Sequence, residues 1–239
     1  MDISEKINAV RNRIAAACER SSRSPKEVQL QAVSKNQTSE AIQAVADGGL
    51  TLFGENRVQE AKAKIPQCPG KLHWHLIGHL QSNKCRDAVY LFEMIQSVDS
   101  LALAKEIDKW CDKSAKTMPI LLEVNVAGES SKFGYPPQRV LEELETLNAL
   151  RHIEIHGLMT VAPWSPNPET VRPVFKRLRE LKLQCEGILG APLPHLSMGM
   201  SGDFEVAIEE GATIVRIGTA LFGARKPAPK TDEMTTDSP

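Results

Sequence analysis

A lysine, an arginine and two short glycine-containing segments are the parts of this 239-residue sequence that could do chemistry. Lys35 ends the segment VQLQAVSK at 28–35, where strand-like alternation places Lys35 and Val33 on the same face. Partial removal from water favours the neutral form of a lysine amine, which is the form that condenses with an aldehyde. The same position also suits an ordinary exposed lysine at the end of a strand.

Two segments late in the chain carry groups that suit a phosphate. The first is MSGD, with Ser201 and Gly202, and the second is GTALFG, with Gly218 and Thr219. Both combine small residues, backbone amides and a hydroxyl, which together can bind a phosphate dianion. Each could also be a tight turn that needs small residues for steric reasons. Their position after the last two predicted strands favours phosphate.

Arg216 is the other single residue that stands out. It lies in IVRIG at 214–218, in phase with Gly218, and is therefore predicted to point into the interior of the fold. A buried arginine needs acceptors because an unpaired buried charge is costly. Those acceptors are either a glutamate such as Glu123 or Glu55, in a structural salt bridge, or an atom of a bound ligand.

Eight strand-like segments alternate with helical ones and must position these groups. The strands are predicted at 28–35, 50–56, 73–78, 94–99, 119–126, 154–160, 195–200 and 214–218, and the clearest helices at 3–20, 100–115, 136–149 and 171–184. This alternation predicts an α/β fold, a single (β/α)8 TIM barrel over 1–225 with a leading helix. A doubly wound sheet is disfavoured because SKNQTS, after the first strand, has no glycine-rich fingerprint. The polar segment 226–239 is predicted to be a disordered tail.

Composition excludes several classes of function. The formal net charge is −1 and no block of like charges occurs, so neither nucleic acid nor a membrane surface is expected as a partner. The five cysteines are scattered, and the amino terminus lacks a signal-peptide pattern, which together predict a cytoplasmic protein. His73 and His75 begin a strand instead of ending it, so no metal site is expected.

Six motifs follow one another along the chain: AVSKNQ around Lys35, LFGENRVQEA at 52–61, WHLIGHLQSNK at 74–84, HGLMT at 156–160, LSMGMSGDFEVAI at 196–208 and VRIGTALFG at 215–223. In this order they resemble the YggS/PROSC family of pyridoxal phosphate homeostasis proteins. The resemblance implies the cofactor pyridoxal 5'-phosphate (PLP) and the fold-type III barrel of the alanine racemase N-terminal domain.

The resemblance also implies roles for individual residues. Lys35 would hold PLP covalently, as an internal aldimine, and Arg216 would face the pyridine nitrogen. The remaining residues carried over are Ser201, Gly202, Gly218 and Thr219 for the phosphate, and Asn56, Met159 and Met198 for the lining of the ring pocket.

Catalysis is not expected from this sequence. Racemisation by the related barrel enzymes needs a second base, a tyrosine from a carboxyl-terminal β domain, and neither Tyr90 nor Tyr135 lies in a segment resembling that domain. The resemblance instead implies a monomeric protein that serves intracellular vitamin B6 and amino-acid/keto-acid homeostasis, with PLP-dependent apoenzymes or regulatory proteins as possible partners. The alternatives are a small PLP-dependent amino-acid racemase or lyase and, without PLP, a Schiff-base aldolase acting on a phosphorylated sugar.

Overall fold

Eight parallel strands close into a barrel in a computed structural model that describes residues 2–223. Each strand pairs with the next along the chain, and β8 closes the barrel by pairing with β1. The strands are β1 Gln29–Val33, β2 Leu52–Glu55, β3 His73–Leu76, β4 Met94–Val98, β5 Met118–Glu123, β6 Ile153–Met159, β7 His195–Ser197 and β8 Ile214–Ile217. The predicted (β/α)8 barrel is thus confirmed, and the predicted tail 226–239 lies outside the described residues.

The helices surround the barrel and include every helix predicted from the sequence. They are α1 Ile3–Arg20, α2 Ser39–Asp47, α3 Val58–Lys64, α4 Cys85–Leu91, α5 Leu101–Lys113, α6 Pro137–Asn148, α7 Arg172–Leu189, α8 Phe204–Glu209 and α9 Thr219–Phe222. Pro173 lies in the first turn of α7, where a missing N–H costs no hydrogen bond. Within residues 2–223, no helix has the length and apolar character needed to cross a membrane.

All eight strands end one to three residues before their predicted bounds, and two of these early ends shape the turns at the carboxyl end of the barrel. The first stops at Val33 because the chain turns at Asn36, whose φ is 59°. The seventh stops at Ser197 because the chain turns at Gly199, whose φ is 92° and where a Cβ would lie 2.8 Å from the Cα of Phe204. Both turns carry the residues that follow across the carboxyl end of the barrel.

Polar side chains occupy part of the barrel interior. Gln31 on β1 and Gln96 on β4 are three strands apart around the barrel, yet their side-chain amides are joined by a 3.3 Å hydrogen bond across the interior. Alternation then places Met94 and Ile214 inside as well, and they pack with Leu121 and Met159 in a small apolar cluster separate from the main core. The main core lies between the strands and the surrounding helices.

Candidate functional site

A cavity of about 340 Å³ opens at the carboxyl end of the barrel. It collects groups from the turns after β1, β7 and β8, which lie next to one another because β8 pairs with both β7 and β1. Six of the nine residues implied by the family resemblance line it, namely Lys35, Ser201, Gly202, Arg216, Gly218 and Thr219. The fold therefore brings together the lysine, the arginine and the two turns predicted to bind phosphate.

Buried charges hold the turn that carries Lys35. The ammonium of Lys64, on α3, donates to the backbone oxygen of Ser34 at 2.8 Å and to carboxylate oxygens of Glu55 at 2.9 Å and Glu60 at 2.7 Å. Ser34 Oγ donates to the same Glu55 oxygen at 2.6 Å, and Glu60 accepts from the backbone N–H of Asn36 at 2.5 Å. The backbone on both sides of the half-buried lysine is thereby fixed. Burial raises the pKa of Glu55, and the bonds from Ser34 and Lys64 oppose that rise.

The two glycine-containing turns meet above the barrel. Ser201 Oγ accepts a 3.4 Å hydrogen bond from the backbone N–H of Ala220, which links the turn after β7 to the turn after β8. A Cβ added at Gly202 would meet no atom of the described residues within 4 Å, and one at Gly218 would make only an ordinary 3.6 Å contact with Val33. Neither glycine has a positive φ. Packing within the protein therefore does not require glycine at either position, which leaves room beside the backbone amides for a ligand.

Arg216 is buried and points into the interior, as predicted, but neither glutamate proposed as its partner forms a salt bridge with it. Its guanidinium donates to Ser197 Oγ at 2.6 Å and to the backbone oxygen of Thr160 at 2.8 Å. Glu55 is instead paired with Lys64, and Glu123 acts on Arg216 only over a longer distance. Burial lowers the pKa of Arg216 to about 10 and raises that of Glu123 to about 7. Within the described residues, then, this buried cation has no carboxylate partner in a salt bridge, and it faces the cavity.

The other three residues implied by the resemblance do not line this cavity. Met198 is fully buried in the main core, because the alternation that turns Ser197 inward turns Met198 outward. Met159 is also fully buried, in the small apolar cluster. Asn56 lines a separate cavity with His79, and its buried Oδ1 has no hydrogen-bond partner among the described residues.

Some residues around the site were not predicted from the sequence. Trp164, in the segment after β6, lines the mouth of the cavity and is 86% exposed. Asp203 also lines the cavity, and burial raises the pKa of its carboxyl group. Ser197 and Gln96 lie beneath Arg216 and are fully buried. A polar side chain within an otherwise apolar, fully buried strand, such as Gln96 in MIQSV, is the sequence signal that could have identified the last two.

The histidines lie elsewhere. His73, His75 and His195 line a larger cavity at the amino end of the barrel, where the sequence placed the first two. His79 bonds to Asp99 at 3.0 Å and stacks on Phe133, away from the cavity of Lys35. Among residues 2–223, no group of three or more histidine, cysteine or acidic side chains has a geometry that could hold a metal ion.

Comparison with known proteins places the chain in a family. Residues 6–226 match the family described as alanine racemase, N-terminal domain. The chain is 45% identical over 227 residues to the pyridoxal phosphate homeostasis protein of Aquifex aeolicus, covering 95% of this chain and 100% of that protein. The chain belongs to the pyridoxal phosphate homeostasis protein family.

Solved structures agree with this membership. The barrel of this chain superposes on PipY of Synechococcus elongatus, which was solved with PLP bound. The TM-score is 0.83 and the identity 38%, and the match covers 92% of this chain and 100% of PipY. Alanine racemase of Clostridium difficile shares the fold at 15% identity, with a TM-score of 0.71 over 95% of this chain and 58% of the racemase. The family resemblance predicted from the sequence is confirmed.

Proposed function

We propose that this chain binds PLP in the cavity of Lys35 and serves intracellular PLP homeostasis by holding and releasing the cofactor. One observation carries the proposal: a lysine, two turns with room beside their amides and a buried arginine that has no carboxylate partner among residues 2–223 line the same cavity. The PLP-bound structure of PipY, a relative with 38% identity, supports the choice of ligand.

The residues present fit the three functional groups of PLP. The turns at Ser201–Gly202 and Gly218–Thr219 offer amides and hydroxyls to the phosphate. The N–H groups of Arg216 that do not bond to Ser197 or Thr160 can donate to the ring nitrogen. Lys35 supplies the primary amine for the aldehyde, on a turn that the Lys64–Glu55 pair keeps in place.

The chemistry of the group when bound is reversible attachment of its aldehyde to a primary amine, so free amines can compete with Lys35 and release it. An arginine donor keeps the ring nitrogen unprotonated, which makes the ring a weaker electron sink. That favours a role as a carrier of PLP and disfavours a catalytic role. Neither Tyr90, which is 59% exposed on α4, nor Tyr135, which lines a different cavity, faces Lys35. These features support a non-catalytic role in vitamin B6 and amino-acid/keto-acid balance, with PLP-dependent apoenzymes as recipients.

The proposal is tested by titrating the purified protein with PLP, reducing with borohydride and mapping the modified peptide. We expect an absorbance band in the near-ultraviolet to visible range and a single modified residue, Lys35, with both lost in Lys35→Ala. Lys26→Ala is the matched control, because Lys26 lines the cavity at the opposite end of the barrel. Modification of another lysine, or no uptake at saturating PLP, would show the assignment to be wrong.

An amino-acid panel separates a carrier from an enzyme. We expect no loss of optical rotation and no solvent deuterium uptake at Cα at ordinary enzyme rates, about 1 s⁻¹ or faster. Turnover at such a rate would show that the protein is a small racemase or lyase and not a carrier. In that case Asp203 is the first group to test as a second base, since it lines the cavity of Lys35.

We further propose that the protein acts in the cytosol as a monomer. Its five cysteines are free and buried, as is typical of proteins from reducing compartments. All the groups assigned to PLP come from one copy of the chain. Light scattering coupled to size exclusion, with and without PLP, should give the 26.3 kDa mass of a single chain.

A further inference from the structure

The guanidinium of Arg216 is the end of a chain of buried hydrogen bonds that crosses the barrel interior. Its Nη1 donates to Ser197 Oγ at 2.6 Å, and Ser197 Oγ donates in turn to Gln96 Oε1 at 2.6 Å. Gln96 Nε2 then reaches His75 Nδ1 at 2.9 Å. Ser197 and Gln96 are fully buried, so no solvent competes for these bonds.

The chemistry of each group fixes the direction of this chain. An arginine can only donate, so the single hydroxyl proton of Ser197 must go to the carbonyl oxygen of Gln96. That oxygen is then an acceptor, and the amide nitrogen of Gln96 faces His75 as a donor. His75 Nδ1 accepts, which requires the neutral ring with its proton on Nε2. Burial lowers the pKa of His75 to about 4, in agreement with a neutral ring.

The arrangement leaves Arg216 dependent on Ser197. Glu123 and Asp203 both act on Arg216 electrostatically over a longer distance, and each carries a carboxyl group that could attract the guanidinium. If Ser197 Oγ were absent, one buried N–H of Arg216 would lack its acceptor, and reorientation toward a carboxylate would become favourable. The hydrogen bonds to Ser197 and to the Thr160 backbone therefore select one orientation of the guanidinium.

We infer that Ser197 and Gln96 are positioning residues that hold Arg216 against the ring nitrogen of bound PLP. This inference rests on the proposed function, in which Arg216 is the group that meets the ring nitrogen. Ser197 fixes the guanidinium directly. Gln96 acts one bond further away, by fixing the hydroxyl proton of Ser197 so that the hydroxyl oxygen is free to accept from Arg216.

The interior of the barrel supplies a matched control. Gln31 is also a fully buried glutamine on a barrel strand, and it joins the chain only as a branch, accepting from Gln96 at 3.3 Å and donating to the backbone oxygen of Phe53 at 3.2 Å. Gln31→Leu and Gln96→Leu thus make the same change in size and polarity. Only Gln96→Leu removes the acceptor of Ser197.

The experiment uses PLP labelled with ¹⁵N in the ring, bound to the full chain, and records the ¹⁵N resonance, which distinguishes a protonated from an unprotonated ring nitrogen. In Ser197→Ala and Gln96→Leu we expect the resonance to move toward the protonated form while Lys35 remains the residue modified after borohydride reduction. PLP affinity should fall about three- to tenfold. Ser197→Thr, which keeps the hydroxyl, and Gln31→Leu should both retain the wild-type resonance.

Two results would overturn the inference. One is a wild-type resonance in Ser197→Ala with PLP still attached to Lys35. The other is an equal shift in Gln31→Leu, which would assign the effect to general loss of interior polarity. Ser197→Ala removes a single oxygen atom, so the test does not depend on whether Gln96→Leu folds. Failure of the wild-type protein to attach PLP at Lys35 would instead refute the proposed function itself.

Discussion

The buried ion pair behind Lys35 gives a sharp test of how the site is supported. We consider Lys64→Met, which keeps the length of the side chain and removes its charge. Lys64 is 8% exposed and Glu55 is 0% exposed, and Lys64 Nζ lies 2.9 Å from Glu55 Oε1. Removing one member of a buried pair leaves an uncompensated buried charge, which costs about 3–5 kcal/mol of unfolding free energy.

A neighbour on the same helix provides the control. Lys62 pairs with Asp87 at the same 2.9 Å distance, but its side chain is 60% exposed. An exposed pair of this kind contributes about 0–1 kcal/mol, because water and side-chain entropy offset the Coulomb attraction. Lys64→Met and Lys62→Met therefore make the same chemical change on the same helix. They differ in burial and in the number of acceptors lost, because the Lys64 ammonium also bonds to Ser34 and Glu60.

The effect should depend on pH in a defined direction. Burial already raises the pKa of Glu55 above its ordinary value, and loss of the Lys64 ammonium removes an interaction that opposes the rise. A carboxyl group whose pKa is higher in the folded state than in the unfolded state stabilises the folded protein. This stabilisation is complete at pH values below the unfolded-state pKa and is lost as pH rises through the folded-state pKa. The penalty of Lys64→Met should therefore be smallest near about pH 5 and larger near about pH 8.

The assay is urea unfolding followed by far-ultraviolet circular dichroism at both pH values, with PLP affinity measured in parallel. PLP affinity should also fall in Lys64→Met, because the turn that carries Lys35 must then be ordered on binding. A penalty equal to that of Lys62→Met, or one that grows toward acid pH, would refute the account of Lys64 as the support of this turn.

Two further predictions concern the phosphate turns and the barrel interior. Gly202→Ala should leave the free energy of unfolding unchanged or slightly higher, yet weaken PLP about tenfold, 1.4 kcal/mol, while sparing pyridoxal, which lacks the phosphate. The control is Gly187→Ala on α7, where an added Cβ likewise meets no atom of residues 2–223 within 4 Å. An equal loss for pyridoxal would argue against a phosphate at Gly202. The burial-lowered pKa of His75, about 4 against 6.5 unfolded, predicts that stability present above about pH 6.5 is lost as pH falls toward 4. His75→Gln should reduce that loss of stability at acid pH by up to about 3 kcal/mol. His73→Gln, at the exposed start of β3, is the control and should not. An unchanged dependence of unfolding free energy on pH in His75→Gln would contradict the buried neutral ring.

The sequence by itself determined the architecture and the position of the principal groups. Eight strand-like segments alternating with helices specify a parallel barrel, and a parallel barrel brings all carboxyl ends of its strands to one end. Lys35, Ser201 and Thr219 each follow a strand, so their convergence on one cavity follows from local pattern and topology alone.

The partners of the interior side chains were decided only by the tertiary structure. Which inward residues meet depends on the register between strands and the shear of the closed barrel, and neither is encoded in a local pattern. Arg216 therefore pairs with Ser197 and the Thr160 backbone, and not with Glu123 or Glu55. Barrel shear and helix packing likewise decide that Glu55 pairs with Lys64. A buried carboxylate needs a cation within hydrogen-bond distance, and here the neighbouring helix α3 provides it.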